Sequence, residues 1–256
     1  MNKAGLTIDV ITAFPAMFTG FLGESLMARG ISQRVLDVRV HDLRDWSDDA
    51  VHHAIDDTPF GGGGGMILKA EPIARAVEAL GGGPGSGAAI TLIPTPHGAL
   101  FDQDDADRLA REPHIIFVCG HYTGMDERVL EYLRPVRRCI GDYVLSGGEL
   151  PTMVMIEAIA RRVPGFLGND EAARHDSFVR SDGGLGAPQY TRPAEWRGLK
   201  VPTVLISGHH AQVADWRTEQ ARDYTEAYRP DLLARNCKRP DSPDLFDADY
   251  DLGGEG

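Results

Sequence analysis

Short apolar segments alternate with amphipathic helical patterns along the first two thirds of the chain, and this alternation constrains the fold more than any other feature. The strand-like segments are residues 6–13, 36–41, 89–94, 115–119 and 143–145. The helical patterns are residues 15–28, 71–80, 102–111, 126–133 and 149–162. Strands separated by helices are typical of a parallel sheet, so the sequence predicts an α/β fold.

From residue 166 the alternation stops and a polar stretch begins. We predict a first domain over residues 1–165, a flexible interdomain linker over 166–176 and a small, mainly helical domain over 177–240. Residues 210–228 and 230–233 carry the helical patterns of this second domain. The acidic tail, residues 241–256, is rich in Asp and Gly with few apolar anchors and is expected to be disordered.

Composition excludes several classes of protein. No apolar run approaches the roughly 20 residues that span a bilayer, and the first residues are too polar for a signal peptide, so we expect a cytoplasmic protein. The three cysteines lack CxxC spacing, which argues against a zinc site or a disulfide framework. The net charge of −12 argues mildly against a nucleic-acid partner. Basic residues are nevertheless frequent between Arg128 and Arg239, so net charge alone is weak evidence.

The most informative local motif is the segment from Ile140 to Pro151. The apolar residues 143–145 are predicted to form a strand that stops at Ser146-Gly147-Gly148, and a helix follows at once. Paired glycines allow backbone amides to approach a ligand closely, and a helix start carries unpaired N–H groups and partial positive charge. The motif fits a small-molecule site at a strand end, although a tight strand–helix turn would look the same.

Two other glycine runs do not match nucleotide-binding motifs. Residues 61–65 follow no strand and lack the Gly-Lys-Ser/Thr ending of a P-loop. Residues 83–88 spell GxGxxA but lead into a strand, which is the wrong context for a dinucleotide site. Residues 81–87 are therefore interpreted as a surface loop.

Two further strands end in loops rich in Gly and Pro, residues 92–98 and 117–128. With the Ser146-Gly147-Gly148 turn they make three loops at strand C-termini. Parallel sheets bind ligands at this edge. Convergence of three such loops favours a binding site over a simple turn.

Several motifs of unusual composition occur in a fixed order. They are DDTPFGGGGGM (56–66), CGHYTGMDER (119–128), IGDYVLSGGELP (140–151), VPGFLG (163–168), DSF (176–178), YTRP (190–193), VPTVLISGHH (201–210) and WR (216–217). Together they resemble the bacterial tRNA (guanine-N1)-methyltransferase family, TrmD, which modifies position 37 beside the anticodon. The resemblance covers roughly residues 6–233.

The resemblance implies the SPOUT fold, in which the C-terminal part of the α/β domain is threaded into a deep trefoil knot. It also implies tRNA as the substrate, S-adenosylmethionine as the cofactor and a homodimer whose active sites are shared between subunits. The knot would involve the loops around residues 94–98, 119–124 and 140–150. The implied cofactor-binding residues are Leu92, Pro94, Thr95, Pro96, Gly120, Tyr122, Thr123, Gly124, Ile140, Tyr143, Val144, Leu145, Gly147 and Gly148. For Tyr122, pinning of the loop is an equally good interpretation.

By resemblance, Asp176 is the general base and Arg161 stabilises charge. N1 of guanine is a poor nucleophile while protonated, so a base must remove its proton, and the charge that develops on O6 needs a donor. Without the resemblance, Asp176 would be interpreted as a helix N-cap and Arg161 as a helix-end charge. Ser177 is expected to help position the base or the target. The remaining predicted substrate-binding residues are Phe60, Gly61, Gly62 and Arg192.

The sequence departs from the family pattern at Thr123, where a glutamate is usual. The loss of that carboxylate predicts weaker cofactor binding or an altered response to metal. The resemblance associates the family with magnesium, but no carboxylate cluster here specifies a metal site. Two alternatives stay open: a SPOUT methyltransferase for another RNA position or a ribose hydroxyl, and a catalytically silent RNA-binding homologue.

Overall fold

The computed structural model describes residues 5–62, 64–168, 176–179 and 183–236. The described residues up to 168 form one compact unit and those from 176 onward belong to a second. Most of the predicted linker, residues 169–175, and all of the predicted acidic tail lie outside the described residues. Within the described part, no helix is long and apolar enough to cross a membrane.

The first unit is built on a parallel sheet. The strands of this unit are β1 (Leu6–Thr12), β2 (Leu36–Asp42), β3 (Asp56–Asp57), β4 (Ile67–Leu68), β5 (Ile90–Leu100), β6 (His114–Val118) and β7 (Val136–Cys139), of which β3 and β4 form a separate antiparallel pair. Five of them form one sheet in the order β2-β1-β6-β5-β7, and every neighbouring pair is parallel. The predicted parallel α/β architecture is confirmed.

The helices of the first unit lie between these strands in the chain, except α6, which follows β7. They are α1 (Thr19–Gly23), α2 (Ser25–Ser32), α3 (Ala70–Ala79), α4 (Gln103–Leu109), α5 (Glu127–Leu133) and α6 (Glu149–Ala160), with 3-10 turns at Pro15–Phe18 and Leu43–Trp46. Side-chain caps fix two of the starts. The carboxylate of Asp102 accepts hydrogen bonds from the first turn of α4, and that of Asp126 does so for α5.

The central strand β6 is buried on both faces. Ile115 and Phe117 belong to one apolar cluster, which includes Met155 and Ile159 of α6. Ile116 and Val118 point the other way into a second cluster with residues of α3 and α5. Helices therefore cover both faces of the sheet, which explains why β6 is a continuous apolar run rather than an alternating one.

Three sequence predictions in this unit need correction. Residues 143–145 are not a strand: the last strand is β7, which ends at Cys139, and Val144 is 99% exposed with no sheet neighbour to bury it. The strand predicted at 89–94 continues to Leu100. The single helix predicted over 15–28 is divided by Glu24, whose extended backbone separates α1 from α2.

The second unit contains a two-stranded antiparallel hairpin and two helices. The hairpin pairs β8 (Glu195–Trp196) with β9 (Leu199–Lys200). The helices are α7 (His210–Tyr228) and α8 (Pro230–Asn236). Thr225 on the buried side of α7 accepts a hydrogen bond from the backbone N–H of Leu185 at 2.9 Å, which ties the chain before the hairpin to the helix.

Candidate functional site

Strand β5 interrupts its pairing with β7 and then resumes it. Both Pro94 and Ala99 pair with Arg138 of β7, so residues 95–98 form an excursion between them. A Cβ added at Gly98 would lie 2.4 Å from the backbone nitrogen of Arg138. The returning chain therefore lies directly against β7, and only glycine fits at this point.

A buried ion pair fixes the strand that holds both ends of this excursion. The guanidinium of Arg138 donates to the two carboxylate oxygens of Asp105 at 2.8 and 3.0 Å. Arg138 is 8% exposed and Asp105 3%. This two-point geometry restricts the orientation of both side chains, so β7 is locked to α4 beside the excursion.

The loop after β6 and the loop before α6 are hydrogen-bonded to each other. The N–H of Gly148 donates to the carbonyl of Gly120 at 2.7 Å, and His121 forms an isolated antiparallel bridge with Gly147. A Cβ added at Gly148 would lie 2.9 Å from the backbone of Cys119 and Gly120. We call this contact between residues 119–121 and 147–148 the loop junction.

A buried carboxylate lies beneath the loop junction. Glu149, the first residue of α6, is 1% exposed, and its Oε1 accepts a hydrogen bond from the hydroxyl of Thr12 at 2.8 Å. Its Oε2 lies 3.6 Å from Nδ1 of His121. The start of α6 favours negative charge at this position through its helix dipole.

The glycine-rich segment before β4 is tied to the loop after β6. The N–H and hydroxyl of Thr123 both donate to the carbonyl of Met66, at 3.2 and 2.7 Å. The N–H of Leu68 donates to the carbonyl of Gly124 at 3.1 Å. Thr123, which replaces the glutamate expected by resemblance, thus joins two predicted parts of the site.

Large side chains around the loops are exposed. Tyr122 is 42% exposed, Tyr143 58% and Leu145 38%. Together with Val144 they form an open apolar rim beside the loop junction. Exposed apolar side chains placed together are suited to contact with a ligand or a partner.

The structure gathers the predicted cofactor-binding residues at one edge of the sheet. Leu92 and Pro94 lie in β5, and Thr95 and Pro96 belong to the excursion. Gly120, Tyr122, Thr123 and Gly124 follow β6, whereas Ile140, Tyr143, Val144, Leu145, Gly147 and Gly148 lie between β7 and α6. Since β6, β5 and β7 are adjacent and parallel, their carboxyl ends meet.

The predicted catalytic and substrate-binding residues are distributed over both units. Arg161 is the half-buried C-cap of α6 in the first unit, and Asp176 is half-buried in the second. The helix-end position predicted for Arg161 is confirmed, whereas Asp176 is followed by a turn and not by a helix, so the helix N-cap interpretation of Asp176 is wrong. The Ser177 hydroxyl accepts a hydrogen bond from the N–H of Gly186 at 2.9 Å.

The remaining predicted substrate-binding residues are accessible. Phe60 is fully exposed, and Gly61 and Gly62 adopt positive φ angles of 85° and 79° with no heavy atom within 4 Å of an added Cβ. Arg192 is exposed in the second unit. Among the described residues, no group of three His, Cys, Asp or Glu side chains could hold a metal ion.

Sequence reasoning missed four polar residues that support the site: half-buried His121 and buried Glu149, Asp105 and Arg138. The sequence offered one signal, for Glu149, because this residue directly follows the paired glycines.

The buried thiol of Cys119, near these residues, is unreactive. Burial raises the pKa of Cys119, whose Sγ lies 3.3 Å from the hydroxyl of Thr152, so the thiol stays protonated.

Comparisons with known proteins all indicate the same family. The family model described as tRNA (Guanine-1)-methyltransferase TrmD matches residues 6–235. A protein of Brevibacillus brevis named tRNA (guanine-N(1)-)-methyltransferase is 48% identical over 230 residues, which cover 90% of this chain and 92% of that protein. Proteins of the same name from Moorella thermoacetica and Chloroflexus aggregans are 49% and 47% identical, over 90% of this chain and 91% and 88% of their own lengths.

Proposed function

The chain belongs to the tRNA (guanine-1)-methyltransferase TrmD family, and we propose that it transfers a methyl group from S-adenosylmethionine to N1 of guanosine 37, next to the tRNA anticodon. Family membership makes it a tRNA methyltransferase. One observation best supports this more specific proposal: three glycine- and proline-rich loops meet at the carboxyl edge of β6, β5 and β7.

These loops fit S-adenosylmethionine through their backbone. Gly147 and Gly148 have no Cβ, so the backbone of the two loops can pack closely together, and exposed Tyr122, Tyr143 and Leu145 offer apolar surface for the adenine and ribose. Residues 92–96, 120–124 and 140–148 would hold the cofactor. When bound, it supplies an electrophilic methyl group on a sulfonium sulfur.

The residues of the chain that act on guanine are Asp176 and Arg161. Asp176 accepts the N1 proton as the ring nitrogen becomes nucleophilic. Arg161 donates hydrogen bonds to O6, where negative charge develops, and a guanidinium is suited to this role because it is always charged. Ser177 lies beside the base and orients it or the target. No step is assigned to magnesium, because the described residues offer no metal-binding cluster.

Two architectural proposals accompany this mechanism. The first is that the chain around β5, β7 and the loop junction forms the trefoil knot, which the return of β5 to Arg138 supports. The second is a homodimer with shared active sites. Val144, which is 99% exposed, supports it, since a partner subunit would cover such an apolar side chain.

We assign tRNA binding to residues 177–240, joined to the catalytic domain, residues 1–165, by a linker over 166–176. The β8–β9 hairpin supports this assignment. Trp196 is 57% exposed, the guanidinium carbon of Arg197 lies 4.9 Å from its ring centroid, and Lys200 follows. Exposed aromatic and cationic side chains together suit stacking on bases and pairing with phosphates.

Methyl transfer from radiolabelled S-adenosylmethionine to tRNA transcripts tests the proposal. A transcript with guanosine at positions 36 and 37 should accept label, whereas a matched transcript with adenosine at 37 should not. Asp176→Ala should abolish incorporation while the protein stays folded. Equal labelling of both transcripts would contradict the assignment to position 37, and full activity of the variant would remove Asp176 from the mechanism.

A further inference from the structure

We propose that His121 and Glu149 form a positioning pair that holds the loop junction in the conformation that binds cofactor. This inference rests on the proposed function and deepens it. His121 belongs to the loop junction and Glu149 follows it directly, and neither is among the predicted cofactor-binding residues. The role of the pair is to orient the backbone that surrounds it, without touching the reacting atoms.

One oxygen of the buried Glu149 carboxylate accepts a hydrogen bond from strand β1. Thr12 donates to Oε1 at 2.8 Å, and the residue is 1% exposed. A buried carboxylate needs partners for both oxygens because its desolvation is costly. In the part of the chain that the structure describes, Nδ1 of His121 lies 3.6 Å from Oε2.

The nitrogen Nδ1 of His121 also needs a hydrogen-bond partner. This atom is buried and finds no hydrogen-bond partner among the residues that the structure describes. Ring contacts fix the imidazole: the centroid of Phe14 lies 4.4 Å away and that of Tyr122 4.9 Å away. A buried donor or acceptor without a partner is costly, so the atom most available to satisfy Nδ1 is Oε2 of Glu149.

The position of Gly147 explains why this pair acts on the loops rather than on the core. A Cβ added there would lie 2.3 Å from Oε2 of Glu149 and 2.4 Å from Nδ1 of His121. The backbone of Gly147 therefore lies against both groups, and shortening the 3.6 Å separation into a hydrogen bond draws residues 119–121 and 147–148 together. That bond orients the backbone groups that face the cofactor.

Calorimetric titration of the full-length protein with S-adenosylmethionine tests the pair. His121→Phe keeps an aromatic ring against Phe14 and Tyr122 but removes Nδ1, and it should weaken cofactor binding about tenfold. His121→Asn, whose amide can place a donor near the same point, should recover most of the affinity. In methyl-transfer assays the KM for the cofactor should rise while kcat at saturating cofactor stays within about twofold.

Asp9→Asn is the matched control, because Asp9 is also a buried carboxylate beside histidines. It is 1% exposed, and its two oxygens lie 2.6 Å from Nε2 of His41 and of His114, away from the loop junction. This variant should lower the melting temperature without changing cofactor affinity. Unchanged affinity in folded His121→Phe, or equal weakening by Asp9→Asn, would overturn the inference. If the unaltered protein bound no cofactor, that result would contradict the proposed function itself, and with it this inference.

Discussion

Gly148 is the residue at which the geometry of the site is tightest. Any side chain there meets the backbone of Cys119 and Gly120. Gly148→Ala should force the two loops apart and weaken S-adenosylmethionine binding at least about tenfold, since backbone cannot move aside as a flexible side chain can. Isothermal titration measures this directly.

Gly20→Ala is the control for that experiment. Gly20 lies in α1, and an added Cβ there meets nothing within 4 Å. Its replacement should leave cofactor affinity unchanged and stabilise the helix slightly. Equal affinity of the two alanine variants would contradict the role given to Gly148.

Cys119 gives a second prediction at this scale. Burial raises the pKa of its thiol, so the reactive thiolate is scarce at neutral and mildly alkaline pH. Iodoacetamide at pH 8 should modify half-buried Cys139 in the native protein well before Cys119. Peptide mass spectrometry measures both rates, and unfolding should remove the difference. Rapid native alkylation of Cys119 would contradict its burial.

The sequence predicted the glycines of the site but not the polar groups beneath them. Gly147 and Gly148 stand out because paired glycines after an apolar segment are unusual. Glu149 and Thr12 are 137 residues apart in the chain, and nothing in local pattern links them. Long-range pairs of this kind arise from the topology of the sheet, which single-sequence periodicity does not specify.

Among the elements, β6 is the central strand of the sheet, and its residues Ile115–Val118 are fully buried. Phe117 is fully buried between neighbouring strands and the α6 side of the core. Phe117→Ala should lower the free energy of unfolding by about 3–5 kcal/mol, measured by urea denaturation. Val51→Ala, at a position that is 78% exposed, should change it by less than about 0.5 kcal/mol. A small effect at Phe117 would contradict this core assignment.

The strands and helices of the core were predictable from the sequence, whereas the segments that belong to the candidate site were not. The apolar residues of β1 and β6, the alternation of β2 and the helical patterns from residues 102 and 126 mark their elements clearly. Residues 143–145 look like a strand because they are apolar, but they are exposed at the loops. The extension of β5 to Leu100 was hidden by Pro94 and Pro96, which usually end a strand.

At the scale of the whole molecule, the two proposed catalytic residues belong to different compact units. If active sites are shared in a homodimer, Arg161 of one subunit acts with Asp176 of the other. Arg161→Ala and Asp176→Ala proteins should each be inactive. Mixing them under conditions that exchange subunits should restore methyl transfer, because each mixed dimer regains one intact site.

The control for this mixing experiment is either variant exchanged with itself, which should stay inactive. Size-exclusion chromatography with light scattering should show dimers throughout. Restored activity in the mixture supports shared sites. A mixture that stays inactive despite subunit exchange would place both residues in one chain's own site.

The central claim concerns the atom that receives the methyl group, and nucleoside analysis of the product tests it most directly. The tRNA transcript with guanosine 37 is methylated, digested to nucleosides and analysed by liquid chromatography and mass spectrometry. The account predicts 1-methylguanosine, and its absence with Asp176→Ala. A ribose-methylated nucleoside, or a methylated base other than guanine, would contradict it and assign this chain to different RNA chemistry.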